Sequence, residues 1–112
     1  MGGSDLFTGT LEILILRTVE AAPLHGYAIG KVLRDQSGGV LSVDEGALYP
    51  ALHRMQGKGL LEAEWGKTET GRRAKFYRPT KRGSEHLSAE SARWAEYTGA
   101  VGAILGFPPK RP

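Results

Sequence analysis

Seven basic side chains fall between Lys67 and Arg82, against a single acid, Glu69. Before them lies an apolar and aromatic run, and a polar stretch from Gly66 to Gly71 divides the segment. Aromatic and alternating residues on both sides of a glycine-containing turn predict two paired strands. So many cations on one hairpin repel one another unless water or a polyanion screens them. The hairpin is therefore a candidate phosphate-binding surface.

The positive charge is concentrated in the middle third of the chain. Residues 1–43 carry a net charge of −1, residues 44–82 carry +4 and residues 83–112 carry zero, within a total of +3 for 112 residues. A basic region of this kind is the electrostatic footprint expected of a nucleic-acid-binding protein.

Neither a cofactor nor a metal site is predicted. The three histidines are far apart, and the chain has no cysteine and no nucleotide-binding glycine motif. Asp44 and Glu45 lie at a predicted helix start, where capping accounts for them, so we do not expect an enzyme. The sequence shows no long apolar run and no signal peptide, and we therefore expect a cytoplasmic protein without a membrane span.

A helix is predicted from Asp44 to Lys58, directly before the hairpin. Asp44 is a suitable N-cap, and Leu48, Leu52 and Met55 follow at spacings of four and three, which marks a buried stripe. The opposite face carries Gly46, Pro50, His53 and Arg54. A helix followed by a basic hairpin is the layout of a winged helix-turn-helix, which binds DNA.

Three further helices are predicted. The first runs from Thr8 to Ala21, with Thr8 or Thr10 as its cap, and it is apolar nearly all round, which suggests that it lies between its own core and another subunit. The second runs from Gly26 to Gln36 with His25 as a candidate cap, and the last runs from Thr80 to about Leu105. A turn is expected at Leu24–Gly26, and Val40–Val43 is a connector and a candidate third strand.

The expected fold is mainly α-helical with a small β-hairpin wing. Residues 1–80 form the winged helix-turn-helix, residues 81–106 a C-terminal dimerisation helix, and residues 107–112 a flexible tail. Leu87, Trp94 and Val101 are seven residues apart, which favours pairing with a second copy of the chain. The complete set of residues predicted for the dimer interface is Leu11, Ile15, Leu87, Trp94, Tyr97, Val101 and Ile104.

The chain resembles one family, the PadR-type transcriptional regulators, and within it the short, single-domain members. The motifs that carry the resemblance are Gly9-Thr10-Leu11, His25-Gly26-Tyr27, residues 45–54, Lys58-Gly59-Leu60, Ala63-Glu64-Trp65 and residues 72–80. Family members commonly have Ser or Thr at the position of Ala47, and Leu at that of Pro79. The resemblance implies a winged-helix homodimer that binds operator DNA, usually as a repressor, with release by a small molecule where an effector is known.

Several roles remain open. Tyr49 either packs under the third helix or reaches DNA, and Trp94 belongs to the dimer core or lines a pocket for a small apolar effector. The alternatives to a DNA-binding regulator are a ligand-binding dimer with residual DNA affinity and an adaptor with a degenerate winged helix. The residues predicted to contact DNA are Gly46, Ala47, Tyr49, Pro50, His53, Arg54, Lys58, Arg72, Arg73 and Lys75.

Overall fold

A computed structural model describes residues 2–107 of the chain, with side chains from residue 10 onward. Within these residues the elements follow in the order α1 (Gly2–Glu20), β1 (Leu24–His25), α2 (Gly26–Gln36), α3 (Glu45–Gly57), β2 (Leu61–Lys67), β3 (Arg73–Pro79) and α4 (Lys81–Leu105). The strands form one antiparallel sheet in the order β1-β3-β2. The predicted fold class, mainly α-helical with a β-hairpin wing, is confirmed. No helix in this part of the chain combines the length and apolar character needed to cross a bilayer.

The core is built around α1, which contacts α2, α3, α4 and β3. Contacts with several elements of its own chain account for much of the apolar character of α1, because they cover more than one of its faces. The buried apolar side chains are Leu11, Ile15, Leu16 and Val19 of α1, Ile29 and Leu33 of α2, Leu48, Ala51, Leu52 and Met55 of α3, Leu60 just before β2, Leu61 of β2, Tyr77 of β3, and Leu87 of α4.

The first helix begins earlier than predicted. It starts at Gly2 instead of Thr8 and ends at Glu20, so Thr8 and Thr10 lie inside it and neither is the N-cap. No proline precedes Thr8, and a single glycine, Gly9, does not stop a helix. A threonine that could serve as a cap is therefore a weak indication of where a helix begins.

The third strand lies in a different place from the one predicted. Leu24 and His25 form β1 and pair with Tyr77 and Phe76 of β3, where a turn was expected. The expected connector at residues 40–43 contains no strand. A two-residue strand is too short to show an alternating pattern, so its pairing depends on tertiary contacts that the sequence does not display.

The hairpin is confirmed, with a shorter tip than predicted. Its strands pair from Leu61 opposite Pro79 to Lys67 opposite Arg73, which leaves residues 68–72 as the turn. Gly66, which was expected in the tip, lies in β2 and pairs with Ala74 of β3. The Phe76 ring packs beside it, and a Cβ atom on Gly66 would be 3.1 Å from that ring.

The tip itself is closed by hydrogen bonds. The backbone N–H of Thr68 donates to the carbonyl of Arg72 at 2.8 Å, and the N–H of Gly71 donates to the carbonyl of Thr68 at 2.9 Å. Gly71 has a φ of 84°, a conformation that favours glycine. The turn therefore has a defined shape.

The start of α4 is anchored to the base of the wing through Thr80. Its hydroxyl accepts a hydrogen bond from the Gly83 N–H at 2.9 Å and donates one to the Gly59 carbonyl at 2.6 Å. Its backbone N–H donates to the Leu60 carbonyl at 3.1 Å. A Cβ atom on Gly83 would overlap that same Leu60 oxygen, so only glycine permits this close approach.

The far end of α4 stops at Gly106, which has a left-handed φ of 84°. Its backbone conformation is one that glycine adopts without strain, and it ends the helix. Most of the tail predicted at residues 107–112 lies outside the described residues, which end at Phe107.

Replacing Gly83 with alanine should lower the free energy of unfolding by about 1–3 kcal/mol, because the helix must move away from the Leu60 carbonyl. At Gly99 in the same helix, a methyl group would have no neighbouring atom within 4 Å. Gly99→Ala should therefore stabilise the chain by about 0.5–1 kcal/mol. Chemical denaturation measures both changes, and equal stabilities of the two variants would contradict the need for close approach.

Candidate nucleic-acid interface

The exposed face of α3 is smooth and carries no carboxylate between Gly46 and His53. The Asp44 side chain caps the helix by accepting a hydrogen bond from the Ala47 N–H at 3.0 Å. Pro50 lies inside the helix and is exposed, as are the residues beside it on this face. The predicted buried stripe is confirmed, so the opposite face is turned outward. Small side chains there allow another surface to approach the helix backbone closely.

Tyr49 lies across the start of α2. A Cβ atom on Gly26 would be 2.5 Å from Cε1 of the Tyr49 ring, so glycine at position 26 makes room for it. Tyr49 as a whole residue nevertheless remains 42% exposed. Burial, with a smaller contribution from Tyr49, raises the pKa of the nearby Tyr77 hydroxyl. Tyr49 thus packs against α2 and still presents part of its ring to solvent.

Arg54 and Lys58, near the end of α3, interact with α1. The Lys58 ammonium donates to both carboxylate oxygens of Glu12, at 3.1 and 3.3 Å. Arg54 Nε lies 3.9 Å from one of those oxygens. Both basic side chains remain about half exposed. The two cations that were expected to be available on α3 are therefore partly neutralised by their own chain.

The wing, which consists of β2, β3 and the turn between them, carries its unpaired cations near the tip. Lys67, Arg72, Arg73 and Lys75 make no ion pair with any carboxylate of the described residues. Trp65 lies beside two of them. The Arg73 guanidinium is 4.1 Å from the centre of the Trp65 ring and the Lys75 ammonium is 5.9 Å from it. These cation–π contacts limit the freedom of Arg73.

At the base of the wing the charge is compensated. Arg78 donates hydrogen bonds to Glu64 and to Glu62, each at 3.1 Å. These hydrogen bonds, with that to Glu64 the larger contribution, raise the pKa of the Arg78 guanidinium. Of the basic residues in the two strands and the turn, those near the tip are the ones left for an external anion.

A groove of about 810 Å³ separates the wing from the helices. It lies beside β3 where that strand extends beyond its two-residue pairing with β1. From the helices it is lined by Tyr27, Lys31 and Tyr49, among others, and from the wing by Lys67, Arg72, Arg73 and the acid Glu69. Lys31 is also hydrogen-bonded to Asp35 at 2.8 Å. The groove combines aromatic surface with an excess of positive charge.

The second half of α4 exposes apolar side chains. Ile104 is 86% exposed, and Tyr97 and Leu105 are also exposed. Trp94 is half-buried and packs edge-to-face against Tyr97 with ring centres 5.7 Å apart. Val101 is also half-buried. Apolar side chains left uncovered in this way are typical of a surface that contacts a partner.

Three residues predicted for the dimer interface lie in the core of the chain instead. Leu11, Ile15 and Leu87 are almost completely buried by neighbouring elements of the same chain. The apolar pattern indicated that these side chains are buried, but it did not show whether the same chain or a second copy buries them. Leu11, Ile15 and Leu87 are therefore core residues, and the predicted interface residues that stay exposed or half-buried are Trp94, Tyr97, Val101 and Ile104.

The three histidines lie in separate environments. His25 packs edge-to-face against Phe76 with ring centres 5.3 Å apart, His53 is exposed on α3 and His86 lies in α4. Among the described residues no three His, Asp or Glu side chains come together as metal ligands would. The candidate functional surfaces are the exposed face of α3, the wing tip and the groove.

Three surface features were not predicted from the sequence. The contact of Glu12 with α3 joins residues 46 apart and leaves no local signal. Tyr27 of α2 is exposed and lines the groove, a position that depends on how α2 and the wing are arranged in space. Trp65 could have been found, since pairing β2 with β3 places it opposite Lys75.

A helix-turn-helix made of α2 and α3, followed by a basic hairpin, defines the winged-helix fold of DNA-binding proteins. The sequence pattern of the PadR-like family of transcriptional regulators matches residues 15–89, and the chain belongs to this family.

The chain is also similar to two solved structures of PadR proteins and to one uncharacterised protein. The PadR-like transcriptional regulator of Bacillus cereus is 29% identical, with a TM-score of 0.79 over 90% of this chain and 96% of that one. A PadR family transcriptional regulator of Eggerthella lenta is 32% identical, with a TM-score of 0.75 over 91% and 87%. An uncharacterised protein X of Lysinibacillus sphaericus is 31% identical over 93 residues, which are 83% of this chain and 85% of that protein.

Proposed function

We propose that this chain is a sequence-specific DNA-binding repressor that acts as a homodimer on a palindromic operator. The observation that carries the proposal is the arrangement of unpaired cations at the wing tip beside an exposed helix face without carboxylates. Phosphates are the polyanion that such a surface fits best, because neutralising them releases counterions from DNA.

In this proposal α3 enters the major groove, where the donor and acceptor pattern distinguishes all four base pairs. Gly46, Ala47 and Pro50 permit close contact with the DNA, while Tyr49 and His53 offer polar atoms. Direct reading of bases is modest with so few long side chains. The spacing of two half-sites then supplies much of the selectivity.

The wing contributes contacts that do not depend on sequence. Arg72, Arg73 and Lys75 bind the DNA backbone, and Arg73 is already oriented by Trp65. The groove between the wing and the helices accommodates one phosphodiester strand, because it is open and its cations outnumber its single acid. Contacts of this kind fix the position of the protein on the duplex.

A homodimer covers the exposed apolar surface of α4. Trp94, Tyr97, Val101 and Ile104 provide a stripe that a second copy can pack against in a two-fold arrangement. Such a dimer on a palindromic operator represses by occupying DNA that the transcription machinery needs. The edge-to-face pair of Trp94 and Tyr97 is the place where a small apolar effector would alter the dimer.

The basic wing argues against the two alternatives. An adaptor with a degenerate winged helix has no need of four unpaired cations near the tip of its hairpin. A ligand-binding dimer with residual DNA affinity would draw its specificity from an apolar channel between the two copies, and its duplex binding would be weak. Affinity for duplex DNA therefore distinguishes these functions.

Binding to duplex DNA should depend strongly on salt. If a dimer neutralises about 6–10 phosphates, affinity should fall about 10³–10⁵-fold between about 50 and 200 mM salt. Replacing Arg72 and Arg73 with alanine should weaken binding to every sequence and flatten the slope by about 0.9 for each phosphate that is no longer neutralised. Fluorescence anisotropy over a salt series measures both.

The matched control for this experiment replaces Arg17 and Arg93 with alanine. It removes the same charge from exposed positions on α1 and α4. If the control flattens the salt slope as much as the wing variant does, the wing does not contact the backbone.

Gly46→Leu should abolish operator binding and leave the fold intact, because a bulky side chain would separate α3 from the floor of the major groove. A Cβ atom at Gly46 would lie 3.3 Å from the Asp44 carboxylate that caps α3, which must shift by a few tenths of an ångström, and would meet no other atom of the described residues within 4 Å. Gly57→Leu changes an exposed glycine at the other end of α3. This variant is the control and should bind the operator. Circular dichroism verifies folding, and wild-type affinity of Gly46→Leu would show that α3 is not the element in the groove.

The protein should be a dimer at micromolar concentration, with a mass by light scattering of twice the 12.1 kDa of the chain. Ile104→Asp should yield a monomer, because a partner would have to bury the new carboxylate. Val40→Asp changes another exposed apolar residue, 80% exposed and away from α4, and should leave the dimer intact. A wild-type monomer would overturn this proposal.

A further inference from the structure

Glu12 of α1 connects the helix at the centre of the core to the proposed DNA-reading helix. Its carboxylate accepts hydrogen bonds from Lys58 at 3.1 and 3.3 Å and lies 3.9 Å from Arg54 Nε. Only 19% of its side chain is exposed, whereas both cations are about half exposed. The carboxylate is thus enclosed beneath two basic groups whose other sides face solvent.

This cluster differs from the other ion pairs in the described part of the chain. The pairs Arg17–Glu20, Lys31–Asp35 and Arg93–Glu90 each lie within one helix. The Arg78 pairs lie within the wing. The Glu12 cluster alone among them joins two helices, and it also has the least exposed carboxylate. Because Arg54 and Lys58 are about half exposed, solvent screens their attraction to Glu12 and keeps its contribution to stability small.

The position of the cluster matters because a carboxylate and a phosphate compete for the same donors. Arg54 and Lys58 together carry two positive charges, and Glu12 reduces the net charge of the cluster to one. Attraction to DNA of any sequence grows with the number of phosphates neutralised. The attraction across 3.9 Å also favours orientations of the Arg54 guanidinium toward Glu12, and a guanidinium with fewer orientations presents its donors to DNA in a more defined geometry.

We propose that Glu12 is a specificity-determining residue: it lowers attraction to non-operator DNA and positions Arg54 on α3. The proposal rests on the DNA-binding function proposed above. On the operator, other contacts hold α3 in place, so Arg54 and Lys58 can bind DNA despite their contact with Glu12. On random duplex only charge attracts the protein, and the reduced charge of the cluster weakens binding. Discrimination is increased by weakening the unwanted interaction, which is an established route to specificity.

Glu12→Gln tests the charge, since the amide keeps the shape and can still accept a hydrogen bond. Binding to operator and random duplex is measured over a salt series. The variant should bind random duplex about 3–10-fold more tightly at low salt, with a slope steeper by about 0.9 for each additional phosphate neutralised. Operator affinity should rise less, so the ratio of operator to random affinity should fall.

Glu20→Gln is the matched control. It removes the same charge from the same helix, but its partner Arg17 lies on α1 and not on α3. The control should leave the affinity ratio unchanged. If the two variants shift binding equally, only net charge matters and the role of Glu12 is overturned, although the DNA-binding function stands. If the wild-type chain binds no duplex at all, the proposed function itself fails.

The double variant Glu12→Gln/Lys58→Gln has the same net charge as the wild type. It therefore separates the positioning of Arg54 by Glu12 from the effect of net charge on DNA binding. Its affinity for random duplex should return to the wild-type value, while operator affinity should fall about 3–10-fold, because Arg54 loses its carboxylate partner and the operator loses the Lys58 cation. Lys58→Gln alone is the control for the lost cation, and the additional loss in the double variant measures the positioning of Arg54. Wild-type operator affinity in this variant would overturn the positioning role. Circular dichroism of both Glu12 variants verifies that they fold.

Discussion

The contact between Gly83 and the Leu60 carbonyl fixes how the parts of this molecule are arranged. It joins the start of α4 to the start of the wing, immediately after α3 ends. Thr80 strengthens the junction by bonding to Gly59, Leu60 and Gly83. The orientation of the wing relative to α3 and the direction in which α4 leaves the core are therefore set at one point.

The basic side chains discussed above fall into two groups, those with an acidic partner in the described residues and those without one. Arg78 is neutralised at the base of the wing, and Arg54 and Lys58 share Glu12, whereas Arg72 and Arg73 have no acidic partner in the described residues. A net charge of +3 therefore understates the local field at the wing tip. The distribution of unpaired charge, more than the total, supports an interaction with DNA.

Local patterns in the sequence predicted α3 and the wing well. Asp44 caps its helix, and Leu48 and Met55 are buried as their spacing indicated. The patterns did not show which surface covers an apolar residue, and so Ile15 was placed at an interface although it belongs to the core. The short strand at Leu24 was missed for a related reason, since it exists through pairing with a distant segment. The assigned DNA contacts remain proposals.

The length of α4 has a mechanical consequence. Its 25 residues span about 38 Å, with the anchored end at the base of the wing and the exposed apolar side chains toward the other end. In a dimer joined through those side chains, α4 could rotate as a rigid rod about the surface where the two copies pack. A small tilt there would be amplified into a larger displacement between the two copies of α3. The half-site spacing that the dimer fits would then depend on the packing of Trp94 and Tyr97.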